Sequence, residues 1–276
     1  MKYIKMNNDI LIQETEEFDL AATLECGQCF RWNRQKDGSY LGVVQSKVLN
    51  IKKAENGILL KNVSQQEFKT FWAHYFDLDL NYSHIRSEIS KIDKNLKEAC
   101  DFAPGIRILN QDPWEALCSF IISQNNNIPR IKGIIENMCL RFGAHLFENF
   151  YSFPSADVIS KLSLSDLSYL KCGFRDKYIL DAAKKVSSGE INLESLSKIA
   201  IEEARAKLMG IHGVGPKVAE CVLLYGAHRL EAFPADVWIK RAMKNIFPQY
   251  SCNDFGKFAG IAQQYIYHYV RNSKKV

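Results

Sequence analysis

The chain has 276 residues, of which 47% are hydrophobic and 12% aromatic, and its formal net charge is +5. This composition can bury a substantial core, and no apolar run approaches the roughly 18 residues of a membrane span. The first residues also lack the apolar segment of a secretory signal. The basic balance allows a polyanionic partner without requiring one.

Residues 1 to about 65 carry the pattern of short strands separated by turns. Asp37-Gly38 and Asn56-Gly57 are hairpin-turn dipeptides,. The regular spacing predicts a small antiparallel sheet. The predicted strands are 9–14, 29–34, 39–45, 48–53 and 57–63.

From about residue 66 the hydrophobic period becomes that of helices and stays so to the end. We therefore predict an α+β fold, in which the small N-terminal sheet precedes a larger all-helical region. The predicted domains are residues 1–80 and 81–276. The predicted helices are 83–99, 113–124, 128–142, 155–162, 165–170, 176–187, 201–209, 216–226, 236–246 and 254–271. The predicted helix caps are Asp112, Ser155, Ser165 and Asp236,.

The cysteine spacing gives little support for a metal or redox site. Cys26 and Cys29 form a C-x-x-C, but no second pair and no histidines at ligand spacing follow,. The stretch from Cys29 is predicted as strand, which does not fit a thioredoxin-like motif. Two incidental thiols and a redox role both stay open. Only Cys252 lies in the last 25 residues, so a four-cysteine iron–sulfur loop is excluded there,.

The stretch LMGIHGVGPKVAEC (208–221) predicts a helix–hairpin–helix. Gly213 and Gly215 are expected to allow positive φ and a close approach to a partner. Pro216 suits the first position of the second helix. The hairpin N–H groups and this helix N-terminus would bind a phosphodiester without sequence selectivity. An ordinary helical hairpin is the alternative.

Lys217 follows on the first turn of that helix, where a cation opposes the helix dipole,. A lysine that is destabilised as a cation can act as a neutral amine, and a neutral amine can attack carbon. Asp236 lies 19 residues further on, about one helix and a turn away. There it can cap the next helix and also stabilise an oxocarbenium-like cation. A solvated surface lysine and a simple cap are the alternatives.

These residues resemble a known family. LMGIHGVGPKVAEC followed by FPADVWIKR (233–241) resembles the helix–hairpin–helix (HhH-GPD) superfamily of DNA glycosylases. A lysine before VAEC is typical of members that combine glycosylase and β-lyase chemistry. The segments GQCFRW (27–32), SFIISQNNNIPRIKG (119–133), LKCGFRDKY (170–178) and GIAQQYIYHY (260–269) resemble 8-oxoguanine DNA glycosylases of the eukaryotic type, which lack an iron–sulfur cluster.

The resemblance implies a role for each matching residue around the flipped base. Lys217 would attack C1′, and Asp236 would assist departure of the base. The Gly27 carbonyl would accept the N7–H that distinguishes 8-oxoguanine from guanine. Cys221 and Tyr267 would sandwich the base, and Gln263 would read its Watson–Crick edge. Gln264 is the alternative to Gln263, and Tyr267 stands where the family usually has phenylalanine.

The resemblance also implies contacts with the DNA helix. Asn125 would fill the vacated stack, and Arg130 and Arg175 would hydrogen-bond the unpaired cytosine. Phe174 would wedge into the helix, where the family usually has tyrosine. Trp238 replaces the family's histidine, so its phosphate contact is lost or remade by the indole N–H. Helix capping by one of the neighbouring asparagines, 126 or 127, is the alternative for that stretch.

The function implied is a base-excision-repair glycosylase and lyase for 8-oxoguanine in duplex DNA, with cytosine preferred opposite the lesion. No metal or organic cofactor is expected, and we expect a monomer without membrane contact in a prokaryotic cytoplasm, at the nucleoid. Two other functions stay open. One is a related glycosylase for another damaged purine, such as an alkylated one, and the other is a non-catalytic DNA-binding module.

Overall fold

A computed structural model describes residues 2–13 and 15–273. The N-terminal part is one antiparallel sheet of six strands, β1 to β6, in the order β1-β2-β6-β5-β4-β3. Both predicted hairpin turns join neighbouring strands, because Asp37-Gly38 lies between β3 and β4 and Asn56 between β5 and β6. The strands are Tyr3–Met6, Asp9–Ile12, Trp32–Arg34, Tyr40–Val44, Lys47–Ala54 and Gly57–Lys61.

The sheet prediction misses the edge strand Tyr3–Met6, whose residues are mostly exposed. The strand predicted from Cys29 begins only at Trp32. The preceding loop is irregular because the buried Gln28 side chain replaces the ladder bonds. Its amide nitrogen donates to the carbonyls of Thr23 and Arg107, at 2.9 and 2.8 Å. The short helix Leu20–Leu24 before this loop was not predicted either.

An aromatic helical segment covers one face of the sheet. It runs through Gln65–Glu67, a π-helical turn over Phe68–Trp72, and Ala73–Tyr75. The indole N–H of Trp32 in the sheet donates to the hydroxyl of Tyr75 at 2.8 Å. Large apolar side chains from both elements form a buried cluster, so the segment closes the N-terminal core,.

The rest of the described chain is mainly helical, as predicted. One difference is a two-stranded sheet of His145–Phe147 and Phe150–Tyr151, so the region is not all-helical. The predicted helix 83–99 is split, because Asp93 caps a new helix through a 2.7 Å bond from the Asn95 N–H. The α-helices of this region are Tyr82–Ile89, Lys94–Phe102, Pro113–Ser123, Ile128–Phe142, Ala156–Ser160, Leu164–Ser168, Arg175–Ser187, Ile201–Met209, Pro216–Tyr225, Val237–Asn245 and Ala259–Asn272. A 3-10 helix, Cys252–Phe258, precedes the last of them.

Side-chain caps fix where several of these helices begin. The Asp112 carboxylate accepts from the Glu115 N–H at 2.8 Å, and the Ser155 hydroxyl accepts from Val158, so both predicted caps are confirmed. The prediction of Ser165 as a cap is wrong. Ser163 caps that helix, since it forms a reciprocal capping box with Asp166,.

The helix Pro216–Tyr225, called the lysine helix below, lies in the centre of the helical core. Every residue from Val218 to Tyr225 is buried. It packs against Pro113–Ser123, which is also almost wholly buried. Its first turn alone reaches the surface, so the fold presents one end of a rigid helix to an open cavity. Within the described residues, no helix is long and apolar enough to cross a membrane.

Candidate active site

The Lys217 side chain emerges from the first turn of the lysine helix into a cavity of about 1120 Å³. Its ammonium donates to the Ser123 hydroxyl at 3.3 Å and lies 5.1 Å from the centre of the Phe120 ring. It is half-buried. A neutral hydroxyl and an aromatic face hold the amine in place, and no carboxylate of the described residues forms an ion pair with it.

Asp236 lines the same cavity, at the end of the segment that follows the lysine helix. This segment, residues 226–236, is called the return loop below. The Asp236 Oδ1 accepts from the Ile239 N–H at 2.9 Å, so the predicted cap is confirmed. Its second carboxylate oxygen takes no part in this cap and can interact with a group bound in the cavity. The fold therefore brings Lys217 and Asp236 to one space, as their spacing predicts.

Three further predicted residues, Asn125, Gly215 and Trp238, line this cavity. Asn125 is exposed, with a left-handed φ of 47°. Trp238 is half-buried, and its ring lies 5.8 Å from the Arg241 guanidinium carbon. The neighbouring Asn127 caps the helix Ile128–Phe142, accepting from Arg130 N–H at 3.0 Å. Capping by Asn127 leaves the Asn125 side chain available to DNA.

Gly27 and Tyr267, two residues predicted to contact the base, lie side by side. Gly27 has φ of +87°, and a Cβ there would lie 3.7 Å from the Tyr267 hydroxyl. That hydroxyl accepts from Arg271 at 3.0 Å, and burial raises the pKa of Tyr267. Tyr267 also lines a second cavity of about 850 Å³ with Cys26.

The two cavities share no lining residue. Buried Cys221 lies near both reactive groups: burial raises the pKa of its thiol to about 11, Lys217 opposes that shift and Asp236 adds to it. Asp236 likewise adds to the raised pKa of Tyr267. Cys221 lines neither cavity in this structure, whereas Tyr267 lines the second one.

The two neighbouring glutamines of the last helix differ in their partners. Both are buried, and the Gln264 Oε1 accepts from the Tyr225 hydroxyl at 2.6 Å. Among the described residues, the Gln263 Oε1 and the Gln264 Nε2 are both buried without a hydrogen-bond partner. A buried, unpaired amide group is costly unless a ligand binds it. Of the two, Gln263 is the one whose acceptor oxygen is free, and this favours Gln263 as the acceptor for the N–H groups of a base edge.

The predicted wedge, Phe174, is 51% exposed and lies against the Arg175 guanidinium at 4.5 Å. Arg175 itself is buried and donates to the carbonyls of Gln124 and Cys172, each at 2.9 Å. These bonds hold the loop before Asn125. A contact of Arg175 with cytosine would have to replace them. By contrast, the exposed Arg130 has one long bond, 3.3 Å, to a carbonyl.

The two hairpin glycines have different reasons to be glycine. Gly213 has φ of +81°, and a Cβ there would lie 2.3 Å from the Tyr178 ring. The prediction of positive φ is wrong for Gly215, whose φ is −95° because it is the extended residue that caps the lysine helix. A Cβ at Gly215 would meet nothing within 4 Å. Its missing side chain leaves the helix N-terminus open.

Cys26 and Cys29 are buried free thiols. Burial raises the pKa of Cys26 to about 11 and that of Cys29 well above its ordinary value. A reactive thiol requires the opposite shift. The described residues contain no group of three or more His, Cys, Asp or Glu that could hold a metal ion.

The sequence interpretation missed two buried residues beside the site. Gln28 receives the Leu109 N–H on its Oε1 at 2.9 Å, so its amide fixes the loop that carries Gly27. Glu220 bonds the Phe233 N–H in the return loop. The sequence contains a signal for each residue, which is a glutamine in an irregular loop and a carboxylate within a buried helix. It does not show their partners, because these are distant in sequence.

Comparisons with known proteins agree with this geometry. Residues 10–117 match the 8-oxoguanine DNA glycosylase N-terminal domain, and residues 118–251 match the HhH-GPD superfamily of base excision DNA repair proteins. An N-glycosylase/DNA lyase of Saccharomyces cerevisiae is 34% identical over 86% of this chain and 70% of its own length. The chain belongs to the 8-oxoguanine DNA glycosylase family.

Solved structures of this glycosylase family have the same fold over the whole chain. MBOgg1 in complex with a low-affinity DNA ligand has a TM-score of 0.94 and 42% identity, with full coverage of both chains. The 8-oxoguanine glycosylase/lyase of Clostridium acetobutylicum, bound to DNA with cytosine opposite 8-oxoguanine, has a TM-score of 0.92 and 36% identity. That match covers 99% of each chain. The sheet and the helical region are therefore both features of the family fold.

Proposed function

We propose that this protein is a bifunctional DNA glycosylase and β-lyase that excises 8-oxoguanine from duplex DNA, with cytosine preferred opposite the lesion. One observation carries the proposal: an amine on the first turn of a buried helix shares a cavity with the carboxylate that caps the next helix. The similarity to glycosylases that act on this lesion supports it. DNA is the partner, so the activity belongs at the genome, in a prokaryotic cell at the nucleoid.

The reaction begins when the neutral Lys217 amine attacks C1′ of the flipped nucleotide. The bond from C1′ to the base breaks, and its electron pair leaves with the base, which takes up a proton. Asp236 stabilises the positive charge that develops on the sugar. The lysine nitrogen then passes a proton to the sugar O4′ as the C1′–O4′ bond breaks, and the ring-opened sugar is left joined to Lys217 by a C1′=N Schiff base. Removal of a C2′ proton breaks the C3′–O bond and nicks the strand.

Selection of the lesion would rest on the buried polar groups of the base site. The Gly27 carbonyl would accept the N7–H of 8-oxoguanine, where guanine has an acceptor, and the unpaired Gln263 oxygen would accept from the Watson–Crick edge, which both bases share. Guanine would leave two acceptors facing each other without a proton, at roughly 1–3 kcal/mol for each unpaired group. Extrusion of the base costs a few kcal/mol for any base, so these terms decide which base stays.

Borohydride trapping on a duplex with one 8-oxoguanine opposite cytosine tests the proposal. Wild type should form a covalent adduct, and Lys217→Gln should bind the duplex without forming one. A duplex with an abasic site separates the steps, since trapping there alone would keep the lyase and reject the lesion. That result would favour a glycosylase for another purine. Binding without any adduct would favour a non-catalytic DNA-binding module.

A further inference from the structure

The buried carboxylate of Glu220 joins the two segments that carry the reactive groups. Glu220 lies on the lysine helix three residues after Lys217, and it is 8% exposed. Its Oε2 accepts a hydrogen bond of 2.7 Å from the backbone N–H of Phe233. Phe233 lies in the return loop, three residues before Asp236. One carboxylate therefore ties the helix to the loop close to both reactive side chains.

The second oxygen of Glu220 has its own partner. Its Oε1 bonds the Nε of Arg205 at 2.5 Å, and Arg205 belongs to Ile201–Met209, the first helix of the helix–hairpin–helix. The Arg205 side chain is 33% exposed, while that of Glu220 is 11% exposed. Arg205, Glu220 and Phe233 all line the cavity that holds Lys217. Three segments of chain are thus connected at one carboxylate beside the site.

A charged residue at this place is not what packing alone would select. Within the buried stretch Val218 to Tyr225, Glu220 is the only ionisable carboxylate, and the residues around it are mostly apolar. Burying a carboxylate carries a desolvation cost that partners must offset, and an apolar side chain of similar volume often gives equal stability. Stability alone therefore gives a weak reason for a glutamate at position 220. A directed hydrogen bond to the return loop gives a better one, because that bond needs an acceptor.

We propose that Glu220 is a positioning residue that, together with Arg205, fixes the Asp236 carboxylate relative to the Lys217 amine. This inference rests on the proposed function, because it assigns a role in the reaction at that site. A displacement of about 1 Å between reacting groups can lower a rate about a hundredfold. The bond from Phe233 to Glu220 lies three residues from Asp236 on the loop and three residues from Lys217 on the helix.

The test compares three variants with wild type on the duplex with 8-oxoguanine opposite cytosine. Glu220→Met keeps the volume and removes both bonds, Glu220→Gln keeps an acceptor for Phe233 N–H, and Arg205→Gln removes only the charge partner. The single-turnover rate of excision is measured with saturating enzyme. The Kd for the same duplex is measured with each variant combined with Lys217→Gln, so that the DNA is not cleaved. All proteins are assayed at a temperature where circular dichroism shows them folded.

We expect excision by Glu220→Met to fall at least about tenfold, while the Kd of its Lys217→Gln form changes less than about twofold. Glu220→Gln should recover to within about threefold of wild type, because it keeps the bond to the return loop. The matched control is Glu115→Gln, which breaks a buried pair with Arg31 at 3.5 Å outside this cavity. It should not change the excision rate of folded protein.

A wild-type excision rate in Glu220→Met would overturn the inference, and so would an equal loss of rate in Glu115→Gln. If Glu220→Met does not fold, Glu220→Asp decides, because its shorter side chain keeps the charge but cannot reach both Arg205 and the Phe233 N–H: a rate equal to wild type refutes the positioning role, and a reduced rate with unchanged Kd supports it. Absence of excision by wild type would be a separate result, because it would refute the proposed function itself.

Discussion

The hairpin glycines provide a pair of substitutions with opposite expected effects. Alanine at Gly213 must adopt a left-handed φ of +81°, and its Cβ would lie 2.3 Å from the Tyr178 ring. Alanine at Gly215 keeps an ordinary φ of −95°, and its Cβ would meet no atom within 4 Å. Gly213→Ala should therefore damage the fold, and Gly215→Ala should damage DNA binding.

The magnitudes follow from these contacts. Left-handed backbone costs about 1–2 kcal/mol for alanine, and displacement of the Tyr178 ring adds roughly 1–3 kcal/mol. For a chain of this length 1 kcal/mol lowers the Tm by about 2 °C, so Gly213→Ala should melt roughly 4–10 °C lower. Gly215→Ala changes only a helix cap, which costs less than about 1 kcal/mol.

Binding should show the reverse order. A methyl group at Gly215 lies where a phosphate would approach the helix N-terminus, so affinity for undamaged duplex should fall about fivefold or more, as the loss of about 1 kcal/mol implies. The measurements are thermal unfolding by calorimetry and DNA binding by fluorescence anisotropy at fixed salt. Unchanged affinity in Gly215→Ala, with the protein folded, would refute the assignment of this hairpin as the phosphate site.

Three further substitutions test the base site and the buried pair of Glu115 and Arg31. Gln263→Leu removes an unpaired buried oxygen, so its stability should equal or exceed that of wild type by up to about 1 kcal/mol, while excision of 8-oxoguanine is lost. The paired control is Gln264→Leu, which leaves the Tyr225 hydroxyl unpaired and should lower the free energy of unfolding by about 1–3 kcal/mol,. Both variants are measured by denaturant titration. If Gln263→Leu is destabilised, its oxygen is not free in the folded protein. Burial raises the pKa of Glu115 to about 7, so the folded state binds this proton more tightly than the unfolded state, and stability should fall as pH rises from about 4.5 to 7,. Glu115→Gln should reduce that slope, whose full size is roughly 3 kcal/mol, and an identical slope in both proteins would contradict the raised pKa.

Local rules determined much of the architecture. The switch from alternation to helical period near residue 66 divides sheet from helices, and Asp112, Ser155 and Asp236 cap helices as their positions predict. The hairpin and the lysine helix also follow from sequence, because turn, proline and apolar period agree there. These features depend on interactions within a few residues, which a sequence displays directly.

At one missed element a partner distant in sequence decides the local structure. Cys29 is irregular because the Gln28 side chain bonds the Arg107 carbonyl, whereas Tyr3–Met6 pairs with the neighbouring strand Asp9–Ile12. Strand propensity favoured a strand at Cys29 and gave no signal for Tyr3–Met6. Long-range hydrogen bonds outweigh such weak preferences.

The same division applies to the site. The sequence alone determined which residues are chemically suited to the reaction, because Lys217, Asp236 and the glycines have that character by type and spacing. Only the tertiary structure decided that Gln263 and not Gln264 has a free oxygen, and that Glu220 ties the lysine helix to the return loop. Both depend on which buried groups find partners across the fold, and buried polar groups are satisfied by whatever the packing brings within hydrogen-bond distance.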